Sequence, residues 1–132
     1  WVKSNIDENK TFLLSTGHEF SMSDPLQEWF PTLTDQHSVT TLQGLEWTLA
    51  DKFFPWYEQL AQFQHCGDIT CVNEWSARNG VSYDYLIVMI PTETDDTEFT
   101  TLLQSLEKSA RSSAEYSLVY ESERALVFEH KK

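Results

Sequence analysis

Three side chains of this 132-residue chain have the types that acid–base chemistry or cation binding requires, at positions that allow them to meet. His18 and Glu19 follow one short apolar run, and Glu46, beside Trp47, follows a second. An imidazole and two carboxylates can relay a proton, and carboxylates can supply oxygen ligands to a divalent ion. Their convergence requires the two runs to be neighbouring strands, because open α/β sheets place ligands in the crevice beyond the strands' carboxyl ends. The competing explanation is compositional: with 21 acidic residues in the chain, several fall in loops by chance and do no more than solvate the surface. No Gly-x-Gly-x-x-Gly, Walker-type, Gly-x-Ser-x-Gly or His-Glu-x-x-His pattern occurs, so neither a cofactor nor a metal is expected.

Five tryptophans raise the prospect of a sugar-stacking platform. Trp29, Trp56 and Trp75 lie on apolar helical stripes and are expected in the core. Trp47, in a loop after a strand, is the better exposed candidate. Cys66 and Cys71 are the only cysteines. Five helical steps would separate them by about 7.5 Å, beyond the usual disulfide Cα separation of roughly 4.4–6.8 Å, so a bridge requires a break in the helix. Gly67 can end one helix there, and Asp68 or Thr70 can cap the next. Such a staple implies an oxidising compartment. Two free thiols in a cytosolic protein are the alternative, and a lone His65 nearby falls short of a zinc site.

The elements that must position these residues follow from periodicity. Residues 1–10 have none and are expected to form a lead-in to a single α/β domain over 11–132. Thr11–Thr16 predicts a first strand closed by Gly17, and Ser38–Leu42 a second that stops at Gln43-Gly44. Between them Asp24-Pro25-Leu26-Gln27 predicts a helix start, with Asp24 as N-cap and Gln27 at the capping-box position. Leu26, Trp29, Phe30 and Leu33 would face inward, and Pro31 would keep the helix short. Two helices follow, over Asp51–His65 and from the cysteine corner to Asn79, with Gly80 as a stop. Tyr85–Ile90 is the most apolar run and predicts a central strand buried on both faces. A helix begins at the acidic turn Asp95–Glu98, and Glu115–Tyr120 with Arg124–Glu129 predict a hairpin. The order β-α-β-α-α-β-α-β-β predicts a three-layer α/β fold. Its sheet of about five strands would be mostly parallel, with helices on both faces and an antiparallel C-terminal hairpin at its edge.

Acidic residues outnumber basic ones 21 to 9, for a net charge of −12, which sets the chain against nucleic-acid phosphates and anionic membrane surfaces. The longest apolar run, six residues, is far short of the roughly 20 a membrane helix requires. A start at Trp1 without a signal-like segment suggests a piece of a longer polypeptide.

Three stretches together carry a family resemblance. They are Glu28-Trp29-Phe30-Pro31 with Leu33-Thr34, then Ser38-Val39 with Gly44-Leu45-Glu46-Trp47, and finally Leu103, Leu106 and Ser109 with Tyr116, Leu118–Glu121 and Ala125–Glu129. Across about two thirds of its length the chain resembles the soluble C-terminal domain of polytopic bacterial membrane proteins related to the GT-C glycosyltransferases, including a group related to 6-pyruvoyl-tetrahydropterin synthase. The resemblance implies an extracytoplasmic accessory domain of a cell-membrane protein, not catalytic alone. Its partners would be the membrane-embedded part of the same polypeptide and a glycan or lipid-linked sugar. No catalytic residue carries over, because catalysis in that family lies in the membrane-embedded part. Glu28 enters as a docking or substrate-contacting residue. The alternatives are a stand-alone protein- or glycan-interaction domain, and a small soluble enzyme using His18, Glu19 and Glu46.

Overall fold

A computed structural model of the chain describes residues 1–93 and 95–132. Its centre is a five-stranded mixed sheet in the order β2-β1-β3-β5-β4. The strands are β1 (Thr11–Ser15), β2 (His37–Ser38), β3 (Tyr85–Met89), β4 (Tyr116–Glu121) and β5 (Ala125–His130). β1 pairs in parallel with β2 and β3, whereas β5 runs antiparallel to both β3 and β4. Four strands therefore share one direction, and the C-terminal hairpin inserts its second strand between β3 and β4 instead of adding both strands at the edge.

Both sheet faces are buried, as β3 requires. Leu86 and Val88 join Leu13, Leu126 and Phe128 under α4 (Phe53–Gln64), α5 (Ile69–Asn79) and α6 (Thr97–Ser112). Ile87 joins Phe12, Leu14 and Val127 on the opposite face, beneath Ile6 and Phe30. Each such side chain contributes roughly 1.5–3 kcal/mol relative to exposure. Residues 1–10 belong to this second layer: α1 (Val2–Asn5) leads into Ile6, and the Trp1 ring stacks on Tyr120 with centroids 4.7 Å apart.

α2 (Pro25–Thr34) starts as expected, with the Asp24 side chain accepting from the Leu26 N–H at 3.0 Å. It is rotated from the orientation its apolar stripe suggests. Phe30 and the wholly buried Gln27 face inward, while Trp29 is 49% and Leu33 66% exposed. Gln27 sets this rotation, because its amide hydrogen-bonds the end of β1 and so fixes which side of the helix meets the sheet. Pro31 lies inside the ten-residue helix. It has no N–H to offer the Gln27 carbonyl one turn earlier, and the Thr41 hydroxyl donates to that carbonyl instead.

β2 is two residues long, not the five expected from Ser38–Leu42. The cause is Gln64, whose side-chain amide donates to the Leu14 carbonyl at 2.9 Å and accepts from the Thr16 N–H at 3.0 Å. That amide supplies β1 with the donor and acceptor of a strand residue, leaving residues 39–42 to turn away. The cysteine corner is built by Asp68, which caps α5 by accepting from the Cys71 N–H, and by a Cys66–Cys71 disulfide with Cα atoms 5.4 Å apart. Gly67 serves there through close approach: a Cβ would sit 3.0 Å from Leu102 Cδ2. Gly80 ends α5 in the left-handed region.

Candidate functional site

The connection leaving β1 leads by way of α2 to β2 on one side, whereas β3 lies on the other. The carboxyl ends of β1 and β3 therefore form the sheet's topological switch point, where a crevice opens. Gly17 makes the exit from β1 possible. Its φ of +76° suits glycine, and a Cβ would meet Leu103 Cδ1 at 3.0 Å and Phe99 Cβ at 3.3 Å, so α6 packs against bare backbone. The chain then carries His18, Glu19 and Phe20 along the rim, makes a short 3-10 turn over Ser21–Ser23, and enters α2 at Asp24.

A buried polar network joins the end of β1 to the start of α2. Thr16 Oγ1 donates to Asp24 Oδ2, and Gln27 Nε2 lies 2.8 Å from the same carboxylate oxygen and 2.9 Å from Thr16 Oγ1. Gln27 thus bonds the cap's side chain and the strand end, in place of the backbone N–H that a capping box would engage. The Ser15 and Ser21 hydroxyls and Gln27 Oε1 are buried and have no hydrogen-bond partner among the described residues. All three lie between residues 15 and 27. Buried polar atoms are ordinarily partnered, so this concentration marks the segment as specialised.

The crevice has two adjoining parts of about 250 and 190 Å³, which share Thr16, His18, Asp95 and Leu103. Glu19 and Asp96 extend the larger part; Asp24 and Arg124 border the smaller. The backbone N–H of Thr92 holds the Asp95 carboxyl below its ordinary value. The Thr92 hydroxyl assists at 3.0 Å, and these donors, with His18 and Arg124 nearby, outweigh the opposing effect of burial. A carboxylate, an imidazole and a guanidinium therefore face one polar cleft. His65, at the C-terminal end of α4, extends the rim, with Nε2 3.5 Å from Glu19 and Nδ1 3.8 Å from Glu98. Such a constellation can hydrogen-bond a small polar ligand. Among the described residues, no group of three His, Cys, Asp or Glu side chains is arranged to hold a metal ion.

The candidates read from the sequence divide between two places. His18 and Glu19 line the cleft, whereas Glu28 and Glu46 line a separate recess of about 40 Å³ with Ser21, Met22, Leu42 and Gln43. β1 and β2 are neighbours, as convergence required, but β2 ends at Ser38. Gly44, at a φ of +83°, then turns the chain into α3 (Glu46–Leu49), which brings Glu46 toward α2. Trp47 is 92% exposed, and Trp75 is buried as expected. Sequence reasoning missed Thr16, Gln27, Asp95 and Arg124 as site residues. Asp24 was legible only as a helix cap, and Arg124 lay inside a predicted strand with no pattern tying it to β1.

Comparison of the chain with family models, with curated proteins and with solved structures gives no match.

Proposed function

We propose that this chain is an extracytoplasmic accessory domain of a glycosyltransferase-like membrane protein, inactive alone. The membrane-embedded remainder of the same polypeptide is its partner, and a glycan or lipid-linked sugar is the ligand it meets. The observation that carries the reading is the Cys66–Cys71 disulfide, which uses both cysteines of the chain and buries Cys66 in the main core. Structural disulfides belong to oxidising compartments. No helix among the described residues is long and apolar enough to cross a membrane, so this reading assigns the anchor to sequence outside the chain.

Two measurements on native-source material test it together. Sequence upstream of Trp1 should encode multiple hydrophobic spans. Alkylation under denaturing, non-reducing conditions should modify neither cysteine, and reduction should then expose both. A polypeptide without hydrophobic spans, recovered from the soluble fraction with two free thiols, would overturn the proposal.

A further inference from the structure

We propose that the groove between the start of α4 and the end of α5 binds a small aromatic carboxylate, with the ring on Trp56 and the anionic group between Lys52 and Arg78. The groove holds about 470 Å³, within the roughly 300–1,000 Å³ of small-molecule sites, and lies open along one side. Its floor is apolar and rigid. Leu49, Pro55 and the half-buried Trp56 line it, and Trp56 lies against the buried Trp75 with ring centroids 5.9 Å apart. The Trp75 indole N–H donates to the Gln59 carbonyl at 2.8 Å, which ties α5 to α4 beneath the groove. Backbone strain shapes one wall. α3 ends at Ala50, whose φ of 48° and ψ of −116° a residue with a Cβ rarely adopts, and the turn brings Leu49 and Lys52, on either side of it, to the same groove. Strained backbone of this kind clusters at ligand clamps.

Charge selects the ligand. The chain carries −12, and the cleft beside His18 and the recess beside Glu46 are both lined by carboxylates. This groove has none. Its charged lining residues are Lys52 and Arg78, whose side chains make no ion pair among the described residues, although Asp51 adjoins the first and Glu74 precedes the second by one helical turn. Two unpaired cations call for an anion, and the Gln59 side-chain amide, also uncommitted among the described residues, adds a neutral donor. The floor selects a ring, because stacking on an indole face gains more than area burial alone and a flexible chain does not collect that gain.

The test is a titration of the ¹⁵N-labelled 132-residue chain with phenylacetate, its neutral counterpart phenylacetamide, and hexanoate, followed by backbone and indole N–H shifts. Phenylacetate should move Leu49, Lys52, Gln59, Arg78 and the Trp56 indole together, in the millimolar range. Phenylacetamide should bind about fivefold more weakly, and hexanoate about threefold. K52Q and R78Q should each weaken phenylacetate binding about threefold and leave phenylacetamide binding unchanged. Both residues are exposed, so the variants should keep the wild-type spectrum elsewhere. If Lys52 and Arg78 only laid their aliphatic stems over Trp56, the acid and the amide would bind alike. That result would overturn the site. So would no shift with phenylacetate, shifts centred on His18 and Asp95, hexanoate binding as tightly as phenylacetate, or unchanged affinity in both variants. The groove's chemistry is independent of the accessory-domain reading, since none of these outcomes alters the thiol count or the upstream sequence.

Discussion

The two ends of the sheet handle buried polar groups in opposite ways. At the amino end of β3, the Tyr83 and Tyr116 hydroxyls bond each other, Tyr116 donates to Asn73 Oδ1 at 3.0 Å, and Asn73 donates to Glu115 at 2.8 Å. The His130 ring stacks on both tyrosines, with centroids 4.7 and 4.9 Å away. Here the two buried tyrosine hydroxyls are closed off and satisfied, and their network reaches the surface through Asn73 and Glu115. At the carboxyl end, the Thr16–Asp24–Gln27 network borders a cleft through Thr16 and Asp24, and three buried polar atoms, on Ser15, Ser21 and Gln27, have no partner among the described residues. Polar groups that seal a fold are partnered internally.

The strongest test of this contrast is Asp24→Ala. It removes the helix cap, worth about 1 kcal/mol, and strands the buried Thr16 hydroxyl donor at about 1–3 kcal/mol, while the Gln27 amide keeps Thr16 Oγ1 and the His18 carbonyl as acceptors. A loss of about 3 kcal/mol is expected in urea denaturation. Tyr83→Phe, at the sealed end, removes one hydroxyl from a chain whose remaining members keep partners, and should cost about 1 kcal/mol. Equal losses would erase the distinction. Reduction of the Cys66–Cys71 bridge falls between the two. Closing so short a ring is worth about 2 kcal/mol in the chain-entropy account, and opening it should also loosen His65 from Glu19 at the cleft. The urea midpoint with and without reductant measures the first effect, and the His65 ring resonances the second.

The closed end also has a pH signature. Burial raises the Tyr83 hydroxyl far above the ordinary tyrosine value of 10.0, and donation to Tyr116 raises it further. Burial raises Tyr116 as well, against the hydrogen bond it accepts from Tyr83. In the folded state both tyrosines therefore keep their protons at pH values where the unfolded chain gives them up. Their contribution is complete below about pH 10 and is lost progressively above it. Alkaline unfolding followed by tyrosinate absorbance should show a cooperative step above pH 10, which Tyr83→Phe makes shallower.

Much of this architecture was legible in local chemistry. The run Tyr85–Met89 occupies the middle of the sheet because a strand buried on both faces needs an unbroken apolar sequence. Asp68 and Gly80 bound α5 through cap geometry that acts over a few residues. What escaped is long-range. The truncation of β2 depends on an amide 48 residues beyond Thr16, and the rotation of α2 depends on Gln27 finding Thr16, so neither leaves a periodic trace. The site divides in the same way. His18 and Glu19 could be placed by the rule for strand ends, but the meeting of Glu46 with Glu28 required the path of the loop after Ser38.

The smallest expected effect bears on what holds the closed end together. Asp84 accepts from the Thr11 N–H at 2.9 Å and pairs with Lys132 at 2.9 Å. Burial tends to raise its carboxyl, but the Thr11 N–H and then the Lys132 ammonium outweigh it and hold the group below 3.8. A depressed folded-state value stabilises above the unfolded one, and that contribution is lost as pH falls below 3.8 through the folded value. Lys132 is more than half exposed, so Lys132→Ala should cost less than about 0.5 kcal/mol at neutral pH. The acid-side loss should be slightly flatter in the variant, because the Thr11 hydrogen bond remains. If Lys132→Ala instead costs as much as Tyr83→Phe, surface charge and not the stacked aromatic network closes this end of the sheet, and the contrast with the cleft end loses its physical basis.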